Sequence, residues 1–434
     1  MIEDPPKSDF NLETAFSLIS NHEYQSYFRK VDENYYYWDK VKYIKTQEGL
    51  SNKSLWFALK FIRQINRTDV HFGKYRFSFT MTDEMFELLH YFDMNIGGNL
   101  AGEYLIPAEN KNTYLISSIM EEAIASSQME GAATTRREAK EMLRKSSKPK
   151  NKGQQMILNN YFTINYIKGI AKNAFSTHEL INIHKSMTSN TLDYEEDAGK
   201  IRTNDNIYVI NGITGDVTHT PPHFEELNDM LDDLVEFFNK NNESFIHPII
   251  KGIIIHFILA FMHPFADGNG RTARSIFYWY MLKNDYWLIE YLSISRIIYK
   301  TKIMYEKSFL FTEYDDNDLT YFILYNLRTM KKAFEELKLY LKRKTEEFNS
   351  VQLLSNITGI NHRQAQIINI FLERPTSFLS VKEIENRFTV SNFTARADLE
   401  GLVELGFLSE VKLNKIKRNY IKSERFDELV RRKM

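Results

Sequence analysis

His263-Pro264-Phe265-Ala266-Asp267-Gly268-Asn269-Gly270-Arg271-Thr272-Ala273-Arg274 joins two apolar segments of the chain. Residues 249–262 before it are apolar nearly all round, which predicts a helix buried at the centre of a bundle and ended by Pro264. Residues 275–279 after it continue as another helix. Gly268-Asn269-Gly270 is therefore predicted to be a tight turn at a helix N-terminus, where unpaired N–H groups and the helix dipole favour an anion. The sequence thus predicts a phosphate site within a helical bundle.

The side chains of this loop favour phosphate chemistry as well. Arg271 and Arg274 share a face in the first helical turn, where a cation opposes the dipole by about 0.3–1 kcal/mol, so an anionic partner is expected. Asp267 offers a hard oxygen ligand that suits Mg²⁺. His263, at the end of the preceding helix, is placed to take a proton from an attacking hydroxyl. Together these residues predict a base, a metal ligand and an anion site in one window.

Simpler interpretations exist for single residues. A lone histidine at a helix end is usually capped or solvated, Phe265 is best explained as a core anchor, and the glycines alone are typical of a helix–helix turn. Gly268-x-Gly270-x-x-Ala273, with Glu290 about twenty residues on, also fits a dinucleotide fingerprint. The preceding run is too long and too uniformly apolar for the required strand, and no βαβ pattern surrounds it.

Composition limits the classes of protein. The length of 434 residues predicts two to four domains. Because 56 Lys and Arg nearly balance 57 Asp and Glu, the chain as a whole has no net charge that would attract it to nucleic acid or to a membrane. The absence of cysteine excludes disulfides and thiolate metal sites. The acidic start lacks an apolar core, and the longest apolar stretch, Ile253–Met262, is too short to span a bilayer. We expect a soluble, cytoplasmic protein that makes no membrane contact.

The chain divides into three predicted regions. Residues 1–110 carry no motif to which chemistry can be attached. Residues 111–345 alternate amphipathic helices, the first over about 113–131, with one β-hairpin at about 206–220. Residues 346–434 begin a different unit with three short helices and alternating apolar residues.

Residues 263–274 match the signature of the Fic family, His-Pro-Phe-x-Asp/Glu-Gly-Asn-Gly-Arg-x-x-Arg, at every position, and the resemblance extends over roughly 113–330. It implies an all-helical core with the hairpin as a flap that aligns a target segment by strand addition. It also implies transfer of AMP from ATP to a Ser, Thr or Tyr hydroxyl of a target protein. By motif position, the resemblance assigns the base to His263, Mg²⁺ to Asp267, the anion hole to Gly268, Asn269 and Gly270, a phosphate clamp to Arg271, the γ-phosphate to Arg274 and an adenosine contact to Tyr305.

A second segment, Ser126-Ser127-Gln128-Met129-Glu130-Gly131, is similar to the family's inhibitory motif, Ser/Thr-x-x-x-Glu-Gly/Asn, which makes Ser126 and Glu130 its functional residues. Glu130 falls at a helix C-terminus, where a carboxylate is disfavoured, and no Lys or Arg stands three or four positions away. Pairing Glu130 with Arg274 would relieve both dipole conflicts. A solvated terminal glutamate is the alternative.

The C-terminal unit is predicted to be a winged helix, with residues 391–405 as the recognition helix. The wing, residues 411–422, contains five cations and no acidic residue, which suits DNA phosphates. The recognition helix carries Asp398, Glu400 and Glu404, so a protein-binding role is at least as well supported.

The sequence therefore predicts a mainly α-helical, Mg²⁺-dependent and autoinhibited protein adenylyltransferase that uses ATP. Its partner is a protein that presents a hydroxyl side chain, with the chain itself, a homo-oligomer and DNA left open. Removal of AMP, transfer of another phosphate-containing group, or a DNA-binding regulator with a nucleotide-sensing core are the alternatives.

Overall fold

Helices make up most of the chain, so the predicted mainly α-helical class is confirmed. The computed structural model describes residues 2–7, 12–97, 111–210, 215–240, 244–412 and 418–433. The chain separates into two units, Met1–Leu337 and Lys338–Met434. This boundary lies before the predicted one at residue 345, and the first unit includes the predicted N-terminal region. Within the described ranges, no helix has the length and apolarity needed to cross a membrane.

The first unit is a helical body with two small hairpins. Its elements are α1 (Leu12–Ser20), α2 (Gln25–Glu33), α3 (Trp38–Val41), α4 (Asn52–Ile65), β1 (Arg67–Phe72), β2 (Tyr75–Thr80), α5 (Asp83–Asn95), α6 (Lys111–Met129), α7 (Arg136–Arg144), α8 (Lys152–Gly169), α9 (Thr177–Thr188), β3 (Val209–Ile210), β4 (Val217–His219), α10 (Leu227–Asn239), α11 (Pro248–Met262), α12 (Asn269–Lys283), α13 (Ile294–Lys300), α14 (Lys302–Tyr314) and the part of α15 (Thr320–Ser355) up to Leu337. The rest of α15 belongs to the second unit.

Helix α11 lies at the centre of this unit, as its sequence predicts. Thirteen of its fifteen residues are buried, and it packs along α12. Each fully buried Ile or Phe side chain contributes roughly 1.5–3 kcal/mol relative to exposure, so this helix fixes the positions of the two ends that flank residues 263–268. Lys251 and His256 are the buried polar residues of α11.

The N-terminal residues are joined to the helical core by backbone hydrogen bonds. Strands β1 and β2 pair antiparallel, and Ser78 of β2 accepts from the Leu319 N–H at 2.8 Å and donates to the Asn317 carbonyl at 3.2 Å. Tyr35 donates its hydroxyl proton to Asp318 at 2.6 Å. These contacts explain why residues 1–110 belong to the first unit.

The predicted hairpin near residues 206–220 is present as β3 and β4, which pair antiparallel. The register aligns Val209 with His219 and shifts before Ile210 aligns with Val217. Its turn, residues 211–214, lies outside the described residues.

The second unit combines short helices with a three-stranded antiparallel sheet of order β5-β7-β6. Its elements are α16 (His362–Glu373), β5 (Leu379–Ser380), α17 (Val381–Phe388), α18 (Asn392–Glu404), β6 (Leu408–Lys412), β7 (Arg418–Lys422) and α19 (Phe426–Lys433). A capping box formed by Ser380 and Glu383 begins α17. The predicted wing tip, residues 413–417, lies outside the described residues.

Candidate active site

The turn between α11 and α12 depends on two residues with left-handed backbone. His263 ends α11 with φ of 47°, and Gly268 precedes α12 with φ of 80°. A Cβ on Gly268 would lie 2.7 Å from Cγ2 of Thr188, so only glycine fits this position. A Cβ on Gly270 would lie 2.3 Å from Oε1 of Glu130. The predicted tight turn is therefore present, and the Glu130 carboxylate lies against its end.

The Asn269 side chain braces this loop. Its Oδ1 accepts from the Phe265 N–H at 3.0 Å, and its Nδ2 donates to the Phe265 carbonyl at 2.7 Å. The side chain is buried, and its amide oxygen and nitrogen both make hydrogen bonds within the loop. Any contact from Asn269 to an anion must therefore come from its backbone N–H, which lies in the first turn of α12.

Phe265 is fully buried, as expected of an anchor, and it stacks on His184 of α9 with 3.7 Å between ring centroids. Nδ1 of His184 accepts from the Gly199 N–H at 3.0 Å, which leaves Nε2 to donate to the Asp267 carbonyl at 2.8 Å. Burial lowers the pKa of His184 to about 4, so the ring is neutral. His184 was missed from the sequence, because a lone histidine on the apolar face of a helix gives no signal of its own.

Arg202 holds the other end of the loop. Its Nε donates to the His263 carbonyl at 3.0 Å, and its backbone N–H donates to the Pro264 carbonyl at 2.9 Å. Its guanidinium also donates to the carbonyl of Pro222 and pairs with Asp205. Arg202 thus ties the turn to the segments that flank the hairpin.

His263 is half-buried at the end of α11. Its Nδ1 lies 3.2 Å from the Ala260 carbonyl, an acceptor that favours the tautomer with the proton on Nδ1. Burial lowers the pKa of His263 to about 4. The ring is therefore neutral near pH 7 and keeps Nε2 as a proton acceptor.

Arg271 is fully buried and incompletely paired. Its Nη1 donates to the Met187 carbonyl at 3.1 Å, while Nε and Nη2 have no hydrogen-bond partner among the described residues. Asp267 is the near carboxylate, with 4.0 Å between its Oδ2 and Nη2 of Arg271. Burial lowers the pKa of Arg271 below its usual range. A buried guanidinium with two unpaired N–H donors at a helix N-terminus would be stabilised by a bound anion.

Asp267 lies at the open side of the loop with 55 % of its side chain exposed. Its Oδ1 accepts from the Gly268 N–H at 2.6 Å. Oδ2 makes no hydrogen bond among the described residues and has only the guanidinium of Arg271 near it, at 4.0 Å, so it can serve as a ligand for a cation. Within the described ranges, no group of three or more His, Asp or Glu side chains could hold a metal. Asp267 would therefore serve as a single protein ligand.

Arg274 is bound by the end of α6. Its Nη2 lies 2.9 Å from Oε1 of Glu130 and 3.0 Å from the Ser126 carbonyl, and its Nε donates to Oγ of Ser126 at 2.9 Å. Burial raises the pKa of Glu130, but the Arg274 charge outweighs that effect and holds the pKa below its usual range. The predicted pairing of Glu130 with Arg274 is present, although α6 ends at Met129, before Glu130.

Tyr305 lies in the interior beside this pair. Its hydroxyl is 2.9 Å from Nε2 of His256, and 8 % of the residue is exposed. Burial lowers the pKa of His256 to about 3. The adenosine contact assigned to Tyr305 stays a prediction.

The hairpin is anchored by His219, which the sequence did not single out. Nδ1 of His219 is 2.7 Å from Oε2 of Glu313 on α14, and Nε2 is 2.8 Å from the Phe261 carbonyl on α11. Burial lowers the pKa of His219, but the Glu313 carboxylate outweighs that effect and raises it. Both ring nitrogens face acceptors, which favours the protonated ring, and these two contacts hold β4 against the helices.

Comparison with known proteins gives a family for part of the chain. Residues 174–281 match the model of the Fic/DOC family. Protein adenylyltransferase fic-1 of Caenorhabditis elegans is 32% identical over 111 residues, which cover 26% of this chain and 20% of that protein. Protein adenylyltransferase Fic of Nematostella vectensis is 30% identical over 96 residues, 22% of this chain and 20% of that protein. The chain thus spans about a fifth of the length of these curated relatives.

Among solved structures, a Fic family protein from Desulfovibrio desulfuricans G20 has a TM-score of 0.51 and 20% sequence identity. The alignment covers 80% of this chain and 97% of that chain. At this identity, the similarity establishes the fold.

Proposed function

We propose that this chain, whose residues 174–281 match the model of the Fic/DOC family, transfers AMP from ATP to a Ser, Thr or Tyr hydroxyl of a protein and releases pyrophosphate. The observation that carries the proposal is Arg271, fully buried with two unpaired donors beside a helix N-terminus and a neutral histidine. A polyphosphate would satisfy those donors and the N–H groups of the first turn of α12.

His263 is the proposed base. A neutral ring with its Nδ1 proton directed at the Ala260 carbonyl presents Nε2 to the target hydroxyl. The hydroxyl oxygen attacks the α-phosphorus, the bond to the β-phosphate oxygen breaks, and the proton passes to Nε2. A pKa of about 4 makes His263 a weak base, so positioning and charge neutralisation must supply most of the rate.

Mg²⁺ fits this loop as an ion held mainly by phosphate oxygens and water, with Asp267 as its protein ligand. When bound, it would neutralise phosphate charge. Oδ2 of Asp267, which lies 4.0 Å from Arg271 without a hydrogen bond, would take this role, and Oδ1 fixes the carboxylate to the Gly268 N–H.

Autoinhibition by the end of α6 is part of the proposal. Glu130 and Ser126 occupy the donors of Arg274 that the γ-phosphate would otherwise take. The Glu130 carboxylate also lies against Gly270. ATP would therefore bind with its phosphates displaced from in-line attack until Glu130 leaves.

Incubation of purified protein and candidate targets with Mg²⁺ and ATP radiolabelled at either the α- or the γ-phosphate tests the reaction. Covalent label from the α-phosphate alone, lost in His263→Ala, supports adenylylation. Label from the γ-phosphate would indicate phosphoryl transfer, and release of AMP from a modified target without any labelling would indicate the reverse reaction.

A second candidate function, DNA binding by residues 338–434, is favoured by a different observation. Asp398 is 3% exposed and bonded to Arg363 at 2.7 Å, so this acidic residue of α18 is removed from the surface. The exposed start of α18 instead presents Phe393 and Arg396. Residues 338–434 contain 18 Lys and Arg against 12 Asp and Glu, a net charge of +6, while the whole chain carries −1.

A gel shift with labelled duplex DNA tests this function. We expect binding that weakens steeply between about 50 and 200 mM salt and that is lost in Arg396→Glu. Binding that Arg396→Glu leaves unchanged, or no shift at low salt, would contradict it.

A further inference from the structure

A cavity of about 480 Å³ opens in the first unit, away from His263 and Arg271. One wall is the segment 34–40, and the other is formed by α13, α14 and α15. We call it the tyrosine–lysine cleft, after Tyr36, Tyr325, Lys40, Lys307 and Lys332 among its lining residues. Its volume lies within the range of sites for small organic ligands, roughly 300–1,000 Å³.

The tyrosines of the cleft offer rings rather than hydroxyls. Tyr35 donates its hydroxyl to Asp318, Tyr37 to the Glu3 carbonyl and Tyr321 to Asp315. The Tyr325 hydroxyl is bonded to Thr301 at 2.8 Å. Tyr37 is already stacked on Phe311, and Arg63 lies over the ring of Tyr35, so the aromatic surface that is open to the cleft belongs to the half-buried Tyr36 and Tyr325. Such surface suits the face of an aromatic ligand.

Three lysines of the cleft have no anionic partner among the described residues. Lys40, Lys307 and Lys332 line it, and within the described ranges their ammonium groups make no ion pair or hydrogen bond. Lys307 is half-buried, so water solvates its charge less fully. Arg328 is held by Glu84 with 2.7 Å from its Nε, and Asp39 is the lone carboxylate among the lining residues. The cleft therefore has excess positive charge beside its aromatic surface.

We propose that the tyrosine–lysine cleft binds a small aromatic phosphate of about nucleotide size. The ring packs against the tyrosines, and the phosphate is neutralised by Lys307 and its neighbouring lysines. This site is separate from the proposed nucleotide site, because Arg271 and the N-terminus of α12 do not line it.

Calorimetric titration of the full chain with naphthyl phosphate tests the proposal, since this probe carries a fused aromatic ring and a phosphate but no ribose or triphosphate. Naphthol and inorganic phosphate serve as probes of the ring and the anion alone. We expect naphthyl phosphate to bind more tightly than either. The combined substitution Lys307→Glu and Lys332→Glu should weaken it at least about tenfold, and Tyr36→Ala should weaken it less.

Two variants locate the bound probe. Lys53→Glu reverses an exposed lysine of α4 outside the cleft, and Arg274→Ala alters the proposed nucleotide site; both should leave the affinity unchanged. Loss of binding in Arg274→Ala alone would place the probe in the nucleotide site and overturn the proposal. Equal affinity for inorganic phosphate, or no binding at all, would overturn it as well. Lys307→Gln with Lys332→Gln, which leaves no new charge, serves if the charge reversals fail to fold.

Discussion

The carboxylate of Glu130 and the guanidinium of Arg274 lie 2.9 Å apart across 144 positions of sequence. Glu130 follows the last residue of α6, and Arg274 belongs to the first turns of α12, so each charge opposes its own helix dipole. The pair relieves both conflicts. It also uses the arginine that a nucleotide would need.

Glu130→Gly should therefore raise adenylylation of a target, or of the chain itself, by at least about tenfold, equivalent to roughly 1.4 kcal/mol of barrier. The physical reason is release of Arg274 from its carboxylate. Initial rates of label transfer from the α-phosphate of ATP give the measurement. Glu130→Gln keeps the size of the side chain without its charge, and we expect it to give part of the gain.

The double variant Glu130→Gly with Arg274→Ala should lose that gain, because the freed arginine is the stabilising group. Labelling that stays at the parent level in Glu130→Gly, with a competent target present, would make Glu130 an ordinary helix end.

His263→Ala should lower transfer by about 10²–10⁴-fold, the usual contribution of a positioned base, while ATP affinity stays nearly unchanged. Because His263 has φ of 47°, alanine also introduces backbone strain there. His263→Asn is the matched variant, since asparagine tolerates this backbone and has no basic nitrogen. His178, whose side chain is 80% exposed, provides the control substitution His178→Ala. Normal turnover in His263→Asn would remove His263 from the role of base.

Asp267→Asn should raise the Mg²⁺ concentration needed for half-maximal rate by at least about tenfold. The amide oxygen can still accept from the Gly268 N–H, so the loop is expected to stay folded. Rates measured across a Mg²⁺ series, together with thermal unfolding, separate the two roles of the side chain. An unchanged Mg²⁺ dependence with a lower unfolding temperature would make Asp267 a purely structural residue.

Local features of the fold were predictable because they depend on near neighbours. The capping box at Ser380 is readable from residues within one helical turn, and the buried helix α11 is readable from a continuous apolar run. The turn at Gly268 is also predictable, since a left-handed backbone conformation favours glycine and the glycine is visible in the sequence.

Contacts between segments that are distant in sequence could not be predicted from the local pattern. His184 lies 83 positions before the carbonyl that it binds, and its surroundings on α9 are typical of a core helix. Asp398 looks like a surface charge of α18 until α16 brings Arg363 to it. Asn269 was assigned to ATP through its motif, while its side chain is used inside the loop. Such pairings are set by how the helices pack, which periodicity within one helix does not specify.

The raised pKa of His219 should make stability depend on pH in a specific direction. Its pKa in the fold lies above its usual value of 6.5, so its contribution is fully present below pH 6.5 and is lost as pH rises through the folded pKa. The groups that face it are the Glu313 carboxylate, the Phe261 carbonyl and the more distant Arg202 charge. Burial lowers the pKa values of the other buried histidines of the site, so the protein loses stability through them as the pH falls and they become protonated.

Glu313→Gln isolates the effect, because it removes the charge that raises the pKa of His219 and keeps the shape of the side chain. We expect the variant to be less stable by about 1.5–3 kcal/mol near pH 6, the usual worth of a hydrogen bond to a charged group, and the difference to shrink as the pH rises through the folded pKa of His219. Thermal unfolding of both proteins across this pH range gives the difference. Glu306→Gln, on the same helix with 49% of its side chain exposed, should show a small difference at every pH. A cost of Glu313→Gln that does not change with pH would mean that His219 is neutral and that the contact is packing alone.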